Sequence, residues 1–146
     1  FTSGRTEIVE LLRQRSRPYL FSNALPPVIA AAALQAVKLV AQGDDLRARL
    51  QDNTAFFRSK LTALGFRLVP GNHPIIPVML GDATLATSMA DRLLQHGVYV
   101  VGFSFPVVPK GQARIRVQMS AAHTRAQLER AVAAFANVGR ELGIIS

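Results

Sequence analysis

The hydrophobic period of this chain changes at Gly65, and that change narrows its fold more than any other feature. Upstream, apolar residues recur every three or four positions, as on one face of a helix. Downstream they fall in short runs rich in β-branched residues, as in strands with one buried side. A chain of this kind predicts helices first and then a small sheet with helices laid on it.

The upstream half supplies three helices. In RTEIVELLRQRS, Ile8, Val9, Leu11 and Leu12 form a stripe whose end is marked by Pro18. PYLFSNALPP is predicted to be a loop or short extended piece, with two prolines placed to open the next helix at no hydrogen-bonding cost. From Pro27 to about Ala41 runs an Ala-rich helix that is apolar almost all round. Such a helix must be enclosed by protein on most sides, by something outside this chain or by a second copy. After Gly43 the pattern restarts, with Asp44 or Asp45 expected as cap and Leu46, Leu50, Phe57, Leu61 and Leu64 on one stripe.

The downstream half reads β-β-α-β-β-α. FRLVP and IIPVML are short strand-like runs around a Pro-Gly-Asn turn. Asp82 is placed to cap a helix that Gly97 ends, VYVVGFSF is the next strand, and ARIRVQM the last. Thr124 and Gln127 form a T-x-x-Q capping box for the final helix. The expected class is therefore an α+β small domain, a small and mainly antiparallel sheet with helices on one face, over residues 44–146.

Composition excludes several functions. At 146 residues the chain is the size of one domain and can bury roughly 68–70% of its unfolded surface without help from a metal. It has no cysteine, so neither a disulfide framework nor a thiol nucleophile is available, and a reducing, cytoplasmic setting is expected. The net charge of +8 comes from 14 Arg and 3 Lys against 9 acids. Its densest run, RQRSR, is short, and no aromatic strand suited to base stacking accompanies it, so no nucleic-acid partner is expected. The most hydrophobic stretch, 25–41, is broken by Pro26, Pro27, Gln35 and Lys38, which predicts a buried helix and no membrane span. No signal peptide is visible, and an opening Phe-Thr-Ser-Gly suggests a piece of a longer protein.

Chemistry is concentrated in PVVPKGQARIRVQMSAAHT. Arg114, Arg116 and Gln118 alternate with Ile115, Val117 and Met119, so both guanidinium groups leave the strand on the side away from the core. Arginine is suited to gripping a carboxylate or phosphate through two parallel hydrogen bonds, and the loop before the strand is stiffened by Pro106, Pro109 and Gly111. Solvated or ion-paired surface arginines are the plain alternative. His123 precedes a helix, where it can act as acid or base or simply hydrogen-bond at the helix entrance. His73 and His96 lie in turns without partners at metal-ligand spacing, and no metal site is expected. Ser22 and Asn23 in YLFSNALPP are placed to cap or to bind an anion. No phosphate-cradling loop or nucleophile elbow is present.

RPYLFSNALPP, HPIIPVMLGDA and FPVVPKGQARIRVQMSAAHT together resemble the C-terminal part of the α-oxoamine synthases, pyridoxal-phosphate enzymes of the aspartate-aminotransferase fold type. PKGQARIRVQMSAAHT is most similar to the glycine C-acetyltransferase branch. The resemblance implies a homodimeric acyltransferase that converts glycine and acetyl-CoA to 2-amino-3-oxobutyrate and CoA, the reverse direction completing threonine breakdown. It implies that Arg116 binds the substrate carboxylate and that Ser22 and Asn23 reach the cofactor phosphate of the partner subunit. It further implies that residues 1–43 are the end of the large domain with the interdomain helix. The family's Schiff-base lysine falls before Phe1. None of Lys38, Lys60 and Lys110 stands in its motif, so the chain alone is expected to hold no cofactor covalently and to be inactive. A sibling synthase using another acyl-CoA, and a free-standing α+β module with an anion pocket at Arg114 and Arg116, remain open.

Overall fold

The computed structural model describes residues 2–22 and 24–146. The chain divides into two units, Phe1–Gln42 and Gly43–Ser146.

The first unit is helical: α1 is Thr6–Arg15, α2 Arg17–Phe21 and α3 Pro27–Ala41. α2 lies where a loop is expected from the sequence. Pro18 occupies its first turn, where a missing N–H costs nothing, so the proline opens a helix instead of only ending one. α3 has the predicted bounds, with Pro26 as N-cap and Pro27 at the first helical position. None of α1, α2 and α3 contains a buried residue, although Leu11, Phe21, Val28, Leu34, Leu39 and Val40 are among their side chains. Within this unit the helices do not cover the apolar surface that the sequence builds here.

The second unit contains α4 (Asp44–Ala63), β1 (Ile75–Gly81), α5 (Ala83–Gln95), β2 (Val101–Phe103), β3 (Ala113–Gln118) and α6 (Arg125–Glu141). Its sheet has the order β1-β3-β2 and both pairings are antiparallel. Alternation works as predicted on β3: Ala113, Ile115 and Val117 are buried, while Arg116 and Gln118 are exposed. Ile76 and Val78 of β1 join that buried side. Met89 and Leu93 of α5, Phe57 and Leu61 of α4, and Phe135 and Val138 of α6 complete the core. Phe135 takes Phe57 and Phe66 edge-on at 5.8 and 5.9 Å. Each such fully buried side chain contributes about 1.5–3 kcal/mol from burial alone.

Three local expectations are corrected. FRLVP is not a strand: Leu68 makes a single bridge to Val78, flanked by Met79 N–H to Arg67 O and Val69 N–H to Pro77 O. Pro70 has no N–H with which to continue that ladder. VYVVGFSF shrinks to three paired residues, because the chain leaves α5 through Gly97 with the Val98 N–H still bonded to Leu93 O. Asp44 and Asp45 do not cap α4; Gly43 does, and Asp44 pairs with Arg47 inside the first turn. The other caps are as read: Asp82 accepts from Leu85 N–H, and Thr124 with Gln127 forms a complete capping box.

β2 lies very close to α5. A Cβ on Gly102 would stand 3.0 Å from the Ala86 carbonyl oxygen and 3.2 Å from its carbon, so only glycine fits without moving the helix.

Candidate functional site

β3 sits in the centre of the sheet, and its polar side is flanked by neighbours fixed by register. Arg116 lies opposite Pro77 of β1 and Val101 of β2, and Arg114 opposite Met79 and Phe103. The two arginines are nevertheless in different situations. Arg114 turns back on its own loop, donating from Nε to the Gln112 carbonyl (3.0 Å) and from Nη2 to Gln112 Oε1 (3.1 Å). The Arg116 side chain makes no hydrogen bond or ion pair with any described residue. Its guanidinium carbon lies 4.6 Å from the centre of the Phe103 ring. A cation held on an aromatic face, with its N–H groups uncommitted, can still receive an anion in its plane.

Arg116 also lines an open cleft of about 520 Å³ with residues 96–101, Val117, Gln118, Met119, His123 and part of α6. The cleft is bordered where pairing between β2 and β3 begins: Val101 is the first β2 residue with a partner on β3. Its floor is apolar, including Phe57, Leu128 and Phe135, and its remaining polar groups include His96, Gln127 and Arg130.

His123 does hydrogen-bond at the helix entrance. Its Nδ1 accepts from the Ser120 N–H at 3.2 Å, so a neutral ring carries its proton on Nε2. The turn it belongs to is fastened by Asn53 of α4, which is 5% exposed. Asn53 Nδ2 donates to the Ser120 carbonyl (3.0 Å) and to the His123 carbonyl (2.9 Å). The sequence reading did not single out Asn53. Its signal was the step between Leu50 and Phe57 on the α4 stripe, where polar Asn53 and Thr54 stand in place of apolar residues. Phe103 was missed for a different reason: its contact with Arg116 depends on strand register.

The other candidates have surroundings of their own. Ser22 is an exposed residue of the first unit, ending α2 with its N–H bonded to Pro18 O. Asn23 lies outside the described residues. His73 accepts from the Ile75 N–H and stiffens the turn before β1. Lys60 lies over Phe56 and Lys110 over Phe105. Among the described residues no three His, Asp or Glu side chains could hold a metal ion, and no helix is long and apolar enough to cross a membrane.

Comparison with known proteins gives this arrangement a lineage. The chain is 56% identical over all 146 residues to 2-amino-3-ketobutyrate coenzyme A ligase of Escherichia coli K12. It is 50% identical over 145 residues to the human mitochondrial protein of that name. It spans 37% and 35% of the lengths of these relatives. Among solved structures, a serine palmitoyltransferase of Sphingomonas wittichii matches with a TM-score of 0.86 and 31% identity, covering 94% of this chain and 35% of that one. An 8-amino-7-oxononanoate synthase of Francisella tularensis matches with a TM-score of 0.81 and 32% identity, over 94% of this chain and 40% of that one. The small antiparallel sheet with its helices is thus the C-terminal part of an aminotransferase-like fold. The family model for aminotransferase class I and II matches residues 1–135, and the chain belongs to that family.

Proposed function

We propose that this chain is the C-terminal part of a pyridoxal-phosphate-dependent glycine C-acetyltransferase. The observation that carries the reading is 56% identity along the whole chain to 2-amino-3-ketobutyrate coenzyme A ligase. On this reading residues 1–43 are the end of the large domain with the interdomain helix, and 44–146 are the small domain. The enzyme is a cytoplasmic homodimer, and the uncovered apolar side chains of α1–α3 support a large domain and a second subunit as their cover.

The residues present fit the groups they would serve. Arg116 has a planar fork of donors and no carboxylate of its own among the described residues, which suits the carboxylate of glycine. Ser22 offers an exposed hydroxyl to a phosphate oxygen of a cofactor held mainly by the other subunit, and Asn23, the next residue in the sequence, is assigned to the same phosphate. When bound, pyridoxal phosphate supplies an electron sink for charge developing at the amino acid α-carbon. The contribution of this chain is orientation. By fixing the carboxylate, Arg116 sets the direction of the α-carbon's C–H bond, which loses its proton. The overall exchange would replace that C–H bond by a bond to the acetyl carbonyl carbon while the C–S bond to CoA breaks, the sulfur leaving with the electron pair and the released proton completing the CoA thiol. Lys38, Lys60 and Lys110 are assigned no part in linking the cofactor.

A sibling synthase is the second reading, favoured by 46% identity to an 8-amino-7-oxononanoate synthase of Symbiobacterium thermophilum. The family match over residues 1–135 argues against a free-standing anion-binding module. Assay of the full-length enzyme with glycine and a panel of acetyl-, succinyl- and pimeloyl-CoA tests the choice. Preference for acetyl-CoA by more than tenfold in kcat/KM supports the acetyltransferase, and preference for a longer thioester overturns it.

A further inference from the structure

We infer that Phe103 is a positioning residue, a platform that holds the Arg116 guanidinium in place for the substrate carboxylate. This rests on the reading of Arg116 given above. Phe103 pairs directly with Arg114, so register alone would put Arg114 on its ring. The ring instead carries Arg116, at 4.6 Å, because Gln112 draws Arg114 away with both its backbone carbonyl and its side-chain oxygen. The arrangement selects one arginine of two. Arg114 has its Nε–H and one Nη2–H bond committed to Gln112, whereas Arg116 has its cation stabilised by a π face that accepts no N–H bond in the guanidinium plane. A flexible side chain loses several rotatable bonds' worth of freedom on gripping a carboxylate. Stacking restricts that freedom before the ligand arrives and lowers the cost of binding.

Phe103 is itself held in place. The preceding Gly102 brings β2 against the α5 backbone, so the ring is carried by a strand with little room to shift.

The test is a double-mutant cycle in the full-length enzyme, reading glycine KM and kcat at saturating acetyl-CoA. Phe103→Leu keeps apolar bulk and removes the π face; it should raise glycine KM about two- to fivefold, with acetyl-CoA KM unchanged. Phe103→Tyr keeps the face and should restore glycine KM to within about twofold of wild type. In an Arg116→Ala background, Phe103→Leu should add nothing to glycine KM. If Arg116→Ala itself leaves glycine KM unchanged, the assignment of Arg116 fails and this inference goes with it. If Arg116→Ala raises KM but Phe103→Leu does not, or raises it equally in both backgrounds, only the platform is overturned. The same holds if Phe103→Tyr behaves like Phe103→Leu.

Discussion

Replacing Asn53 by alanine should loosen the turn that joins β3 to α6. Asn53 is 5% exposed and donates to two carbonyls, those of Ser120 and His123, at 3.0 and 2.9 Å. Each hydrogen bond contributes about 0.5–1.5 kcal/mol net, and a buried acceptor left without a partner adds a further cost. The Ser120 oxygen keeps the His123 N–H at 3.2 Å, so the penalty falls mainly on the His123 carbonyl. The expected loss is about 2–3 kcal/mol, which is roughly a thirty- to 150-fold rise in opening of the turn. Hydrogen exchange of the full-length protein, read by mass spectrometry on peptides covering residues 117–128, measures it locally. Asn53→Asp is the sharper variant. It preserves shape but sets a carboxylate against two carbonyl oxygens, so it should lose more protection than alanine. Protection within twofold of wild type in Asn53→Ala, or a milder effect from aspartate than from alanine, would refute this account of the turn.

Three further outcomes are expected. In the full-length enzyme Arg116→Ala should raise glycine KM about ten- to a hundredfold, Arg116→Lys should recover part of that, and Arg114→Lys should be mild because its bonds go to Gln112; steady-state kinetics in glycine decide it, and a crippled Arg114→Lys beside a normal Arg116→Ala would reverse the assignment. Gly102→Ala should cost about 1–3 kcal/mol, because its methyl meets the Ala86 carbonyl at 3.0 Å; a thermal melt with unchanged Tm would show that α5 yields freely. The isolated 146-residue chain should self-associate through α1–α3, none of which contains a buried residue, and a concentration-independent monomer in sedimentation would count against that.

What the sequence discloses of this fold depends on how local the determinants are. The bounds of α3, the Asp82 cap and the Thr124–Gln127 box need only neighbours along the chain, and all three appear as read. The alternation in ARIRVQ likewise determines which side of β3 is buried. Strand status is not local. FRLVP has the composition of a strand but finds only one bridging partner, and VYVVGFSF yields its first three residues to the exit from α5. At the candidate site the two arginines look equivalent in the sequence. What separates them is that Gln112 folds back on one while Phe103 lies beneath the other. Asn53 and the turn it fastens are about seventy residues apart in sequence, a separation no periodicity can bridge.

The absent side chain at position 102 has a mechanical consequence. With the β2 backbone pressed on α5 at Ala86, position 102 puts no side chain of its own between strand and helix. Close-packed contacts transmit displacement instead of absorbing it. A tilt of α5 toward the strand would therefore press first on β2 at Gly102, and the next residue along is Phe103, under the Arg116 cation. Seen this way, α5 is a lever arm whose short end is an aromatic ring, and the glycine is its fulcrum.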